Sequence, residues 1–69
     1  MIRFEDLAAN VQALILAKLA AELAAHNAAN IHHLAKMQNT DLMGVWRHIC
    51  RIAGQPVCTI PAAATTPDH

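Results

Sequence analysis

The feature that most constrains the fold is a stretch of 43 residues, 1–43, that contains neither glycine nor proline. Its middle is built almost entirely of alanine and leucine, which are among the strongest helix formers. With no helix-breaking residue of those two types, the stretch predicts one long helix. It carries too few charges for a fully solvated helix, so other helices must cover it.

Helix 1 is predicted over residues 4–37, with Glu5 and Asp6 at the positive end of the helix dipole. The polar residues 38–41 then supply capping side chains for a second helix over residues 41–53. The large apolar residues of helix 2 recur at helical spacing, and its arginines lie on the opposite side.

The short connection between the two helices predicts an antiparallel helical hairpin, so the fold class is all-α. Residues 1–56 form the hairpin, which is the dimerisation and binding domain. Residues 57–69 mix proline, alanine and threonine, and they predict an extended or disordered tail.

Helix length predicts a homodimeric helical bundle. Helix 1 would be about 50 Å long and helix 2 about 20 Å. One apolar face of helix 1 is then left without an intramolecular partner. Each of its side chains that stays in water lacks the roughly 1.5 to 3 kcal/mol of stabilisation that burial would give. The predicted dimer interface consists of Phe4, Leu7, Val11, Leu14 and Ile15.

Charge and composition predict a cytoplasmic protein with no membrane or nucleic-acid partner. Five acidic and five basic residues cancel, so the net charge attracts neither nucleic acid nor anionic lipid. Lys18 and Glu22 interrupt the one candidate membrane span. Glu5 and Asp6 follow Arg3, which is unlike a signal peptide. Free thiols are expected for Cys50 and Cys58 in that compartment.

No constellation of residues indicates catalysis. The chain has five histidines and two cysteines, but their spacing matches no zinc motif. It contains no serine and no glycine-rich phosphate loop, and Cys50 borders the apolar stripe of helix 2. We therefore expect a non-enzymatic protein that needs no metal and no cofactor.

The predicted partner-binding surface is on helix 2, where Arg47, His48 and Arg51 lie beside Trp46. Arginine and tryptophan are enriched at binding hot spots. Core packing against Ile31 and Leu34 is the other role open to Trp46. A second candidate surface on helix 1 consists of Leu16, Leu19 and Leu23.

Two other functional classes stay open, a structural or assembly adaptor and a small helix-turn-helix-like DNA-binding regulator. In the latter, Ala35 is the small residue of the first helix, Asn39 lies in the turn and Val45 is in the core. The match is partial, because Gln38 and Thr40 replace apolar residues and the predicted first helix is too long. Two arginines also provide few contacts to the phosphates of a DNA backbone.

The segments MIRFEDLAANVQALILAKLAAEL and TDLMGVWRHICRIAGQP, in a chain of this length, resemble the small early proteins with which temperate phages disable host regulators. The two-helix pattern resembles more narrowly a phage quorum-sensing anti-activator. That resemblance implies a helical homodimer in the host cytoplasm that binds a LuxR-type transcription activator and blocks its DNA binding. It also implies a type IV pilus assembly component as a second host partner. It transfers no functional residue.

Overall fold

Two helices occupy the region predicted to form one. The structure is a computed structural model and describes residues 1–65. Helix α1 spans Ala9–Ala25 and helix α2 spans Ile31–Met37. A separate 3-10 turn, Phe4–Asp6, precedes α1. The prediction of a continuous helix over residues 4–37 is therefore wrong.

Two asparagines cause the break. Asn27 has a left-handed backbone (φ 55°), which asparagine adopts more readily than other non-glycine residues. Its N–H donates to the carbonyl of Ala24 at 3.2 Å, and the N–H of Ala28 donates to that of Leu23 at 2.9 Å. This pair of bonds is a Schellman motif, which ends a helix. Asn30 then starts α2, because its side chain accepts a hydrogen bond from the N–H of His33 at 2.9 Å.

Helix α3 spans Leu42–Ile52, so the predicted second helix is confirmed to within one residue at each end. Its start is capped by Asp41, whose side chain accepts from the N–H of Gly44 at 2.7 Å. Gly54 ends it in the left-handed conformation, with φ 71°. The fold is all-α over the described residues, as predicted, but it has four helices instead of a hairpin of two.

The chain after α3 returns to the core. We call residues 57–61 the return segment. Ile2 and Cys58 form a parallel β-bridge, and the N–H of Thr59 donates to the carbonyl of Ile2 at 2.8 Å. Helix α4, Ala62–Thr65, then packs beside α2. The predicted tail therefore contributes to the core through the return segment, and residues 66–69 lie outside the described part.

Trp46 is at the centre of the core and is fully buried. Its ring meets that of Phe4 edge to face at a centroid distance of 6.1 Å. Its indole N–H donates to the carbonyl of Cys58 at 2.9 Å. Trp46 therefore ties the N-terminal turn and the return segment to α3, which also packs against α1 and α2.

Candidate binding surface

Helix α3 has one buried face and one exposed face. Val45, Trp46, Ile49 and Cys50 are fully buried. Arg47, His48 and Arg51 are exposed on the other side, as the sequence predicted. Arg51 is a neighbour of both Arg47 and His48 on the helix surface, because it lies four and three positions after them. We call these three residues the α3 surface.

The two arginines of the α3 surface have no polar partner within residues 1–65. Neither guanidinium takes part in a hydrogen bond or an ion pair with any of residues 1–65. A free guanidinium is a planar fork of N–H donors that can pair with a carboxylate through two hydrogen bonds. The α3 surface therefore offers two such forks to a partner.

His48 has an acidic neighbour that the sequence analysis missed. Its Nε2 lies 3.7 Å from Oε1 of Glu22 on α1. The Nε2 of His26 lies 3.9 Å from the same oxygen. The spacing of Glu22 and His26, four residues apart on one helix, could have revealed the second pair, but the contact between α1 and α3 depends on tertiary structure. When His48 is protonated, the carboxylate of Glu22 offsets its positive charge. The positive charges of the two arginines have no such partner within residues 1–65.

Trp46 does not belong to the surface for which it was predicted. Its side chain has no exposed area, and Cys58 already accepts its only hydrogen bond. It shares the core with Ile31 and Leu34. The alternative of core packing therefore describes Trp46 in this structure, and its role in partner binding stays a prediction.

The face predicted to form a dimer interface is mostly covered within one chain. Phe4 and Ile15 are buried in the core, and Leu7 and Val11 pack partly buried against it. Only Leu14, 52% exposed, is open to solvent. The premise that this face lacks an intramolecular partner is wrong, because Trp46 contacts Phe4 and the return segment pairs with the residues before it. The homodimer itself stays a prediction.

The second candidate surface is not continuous either. Leu19 is buried and Leu23 packs partly buried against the core. Leu16 is exposed, so it is the only one of the three leucines on the open side of α1. The three leucines therefore do not form a binding surface together.

Helices α2 and α3 are joined by a short turn, residues 38–41, in the region of the helix-turn-helix interpretation. Ala35 and Val45 are buried, and Asn39 has a left-handed backbone with φ 54°. These three predictions are confirmed, and α2 has only 7 residues, so the first helix is not too long. The first turn of α3, however, consists of Leu42, Met43 and Gly44. None of these side chains can read a base edge by hydrogen bonding, which is the task of that turn in such units.

An open depression of about 600 Å³ lies beside the turn between α2 and α3 and includes His32, His33 and Lys36 in its lining. The imidazole rings of both histidines already make polar contacts within the fold. His33 Nδ1 accepts from the N–H of Ala29 at 3.0 Å, and His32 Nε2 lies 2.7 Å from the carbonyl oxygen of Thr65. In residues 1–65 no group of three or more His, Cys, Asp or Glu side chains is arranged to hold a metal ion.

No helix within residues 1–65 has both the length and the apolar character that a membrane span requires. Comparison with protein-family models, with curated proteins and with solved structures found no match. Function is therefore inferred from the α3 surface itself.

Proposed function

We propose that the protein is a small non-enzymatic inhibitor that binds a regulatory protein through the α3 surface. The supporting observation is the pair of exposed guanidinium groups of Arg47 and Arg51 on one face of a packed helix, neither of which has a partner within residues 1–65. On a protein surface, guanidinium groups pair with carboxylates through two parallel hydrogen bonds. The complementary surface on the partner is therefore acidic.

Helix α3 presents these arginines on a rigid support. Its other face is anchored by Trp46 and contacts both α1 and α2. A partner then needs to order only the arginine side chains, which lowers the entropic cost of binding. Rigid presentation suits an inhibitor that must compete for a partner.

The resemblance to phage anti-activators directs the proposal to a LuxR-type transcription activator, with a type IV pilus assembly component as a second partner. The DNA-contacting surface of an activator is basic and would repel Arg47 and Arg51. The protein would therefore bind an acidic surface elsewhere on the activator and lower its DNA affinity indirectly.

A displacement experiment tests this function. A purified LuxR-type activator is bound to a labelled operator duplex, and the protein is added while fluorescence anisotropy is followed. We expect the activator to leave the DNA as the protein is titrated. Activator–DNA binding that is unchanged at saturating protein would contradict inhibition of this class of target.

A second candidate function, direct DNA binding, is favoured by the burial of Ala35 and Val45 and the left-handed backbone of Asn39, which agree with the helix-turn-helix interpretation. It predicts that the protein binds the duplex in the absence of an activator. With only two or three phosphate contacts, log K would fall with log salt at a slope of roughly −2 to −3. The apolar first turn of α3 argues against it. Anisotropy of the labelled duplex with the protein alone distinguishes the two functions.

A further inference from the structure

Two cysteines that the proposed function does not use lie together in the core. Cys50 on α3 and Cys58 on the return segment are both free thiols and both fully buried. Both belong to the same cluster of buried core residues. Eight positions separate them in the sequence, so the chain must reverse direction to bring them together.

The backbone fixes this reversal. Gly54 takes a left-handed conformation, and the N–H of Gln55 donates to the carbonyl of Cys50 at 3.0 Å. The chain then turns back until the carbonyl of Cys58 accepts from the indole of Trp46 at 2.9 Å. Trp46 and Cys50 are one helical turn apart on the same face of α3. Cys58 is therefore held over the face that carries Cys50 by contacts that do not involve its own sulfur.

The thiols are unreactive in the closed fold. Burial raises the pKa of the Cys58 thiol above its ordinary value, and the adjacent Cys50 thiol raises it further. Since the thiolate is the nucleophile, reaction requires that the return segment open locally. The described bonds that hold this segment to the N-terminal residues are few: Thr59 pairs with Ile2 and with Phe4.

We propose that Cys50 and Cys58 are a redox pair that closes to an intramolecular disulfide, which fastens the return segment to α3. With oxidised glutathione as the oxidant, the Cys58 thiol loses its proton and attacks one glutathione sulfur, and the other glutathione leaves as a thiolate. Cys50 then loses its proton and attacks the Cys58 sulfur of the mixed disulfide, which expels the second glutathione. The two protein thiols are oxidised and one glutathione disulfide is reduced to two glutathione molecules.

Proximity makes this disulfide easier to form in the folded chain than in the unfolded one. The fold already brings Cys58 back to the face of α3 that carries Cys50, whereas the unfolded chain must close the loop between them. The disulfide should therefore survive at a more reducing glutathione ratio in the folded chain. It would stabilise the fold that supports the α3 surface without changing any exposed side chain.

The full chain is equilibrated in buffers of graded reduced-to-oxidised glutathione, both native and in urea. Each series starts from reduced and from oxidised protein, so that slow exchange is not mistaken for a lack of reaction. Free thiols are alkylated and the products are weighed by mass spectrometry. We expect the native midpoint at a ratio about tenfold more reducing than the midpoint in urea.

A native midpoint equal to or more oxidising than that in urea would overturn the proposal, as would glutathione adducts in place of the internal disulfide. Cys58→Ala is the matched control, with folding checked by circular dichroism. This variant has no second thiol with which Cys50 can pair, so no internal disulfide forms. An intermolecular disulfide as the main product of the wild-type chain would also contradict the proposal.

Discussion

Individual residues with unusual backbone or burial decide where this chain turns. Asn27, Asn39 and Gly54 each end a helix in the left-handed conformation. At each of them the next residue donates to a carbonyl five positions back, at 2.9 to 3.0 Å. One motif used three times therefore divides the chain into its main helices.

The left-handed backbone of Asn27 gives the first prediction. Asn27→Ala should lower the free energy of unfolding by about 1 to 2 kcal/mol, because alanine is strained at positive φ. Asn27→Gly is the matched control and should be at least neutral. Urea unfolding measures both. Equal losses for the two variants would show that the asparagine side chain, rather than the backbone conformation, matters at this position.

The buried thiol of Cys58 gives a prediction about pH. Its folded-state pKa is raised above the ordinary value of 9.0, so both states keep the proton at lower pH. As pH rises above 9, the unfolded chain loses this proton first and is stabilised. Stability should therefore fall as the pH rises through and above 9, and it should fall less in Cys58→Ala. Equal pH dependence of the two proteins in urea unfolding would contradict this.

At the scale of elements, the sequence predicted α3 well and α1 poorly. The amphipathic pattern of α3 and the cap among residues 38–41 are local signals, and both act as predicted. Gly54, where the helix ends, is also a local signal. The break after Ala25 was also encoded locally, by Asn27 and Asn30, but only glycine and proline were treated as helix breakers. The packing of the return segment could not be predicted from periodicity, because it depends on contacts with Ile2 and Trp46, which are distant in sequence.

The α3 surface was predictable for the same reason that α3 was. Arg47, His48 and Arg51 lie opposite the apolar stripe, so their exposure follows from the helical period. The burial of Trp46 and the approach of Glu22 to His48 depend on which helices pack together. Neither is encoded in the spacing of neighbouring residues.

The role of the return segment is tested by truncation. A chain that ends at Pro56 loses Cys58, the acceptor for Trp46 and the bridge to Ile2, so we expect it to lose cooperative unfolding. A chain that ends at Ile60 keeps these contacts and loses the buried Pro61 and α4, so it should unfold cooperatively at a lower temperature. Circular dichroism on heating measures both. An unchanged melting temperature for the shorter chain would refute the role of the segment.

At the scale of the whole molecule, one chain builds its own core. Phe4 and Ile15, expected to meet a second copy, are buried against Trp46 and its neighbours. The described part measures 29 × 21 × 18 Å, much shorter than the long helix expected from sequence. These two side chains are therefore covered within one chain, and the homodimer stays a prediction.

Dilution tests whether folding needs a second chain. If one chain folds by itself, its melting temperature should not change over a hundredfold range of protein concentration, whereas that of an obligate dimer falls on dilution. Sedimentation at the same concentrations reports whether the chains associate at all. A melting temperature that falls with dilution would mean that folding and association are linked, as the sequence alone predicted.

The central claim is that Arg47 and Arg51 bind an acidic partner surface, and the most direct measurement compares two double variants that lose the same charge. Arg47→Ala with Arg51→Ala removes the two free guanidinium groups of the α3 surface. Arg3→Ala with Lys36→Ala removes two other exposed cations outside α3. Affinity for the LuxR-type activator is measured by calorimetry, with helicity checked for both.

We expect the first variant to lose more than about 1 kcal/mol of binding free energy, roughly fivefold or more in Kd. The control variant should lose much less, because it changes the net charge by the same amount without touching α3. Equal losses in the two variants would mean that the lower net charge weakens binding through long-range electrostatics, and that contacts made by α3 do not. Unchanged binding of the folded first variant would contradict the claim that the α3 surface is the binding site.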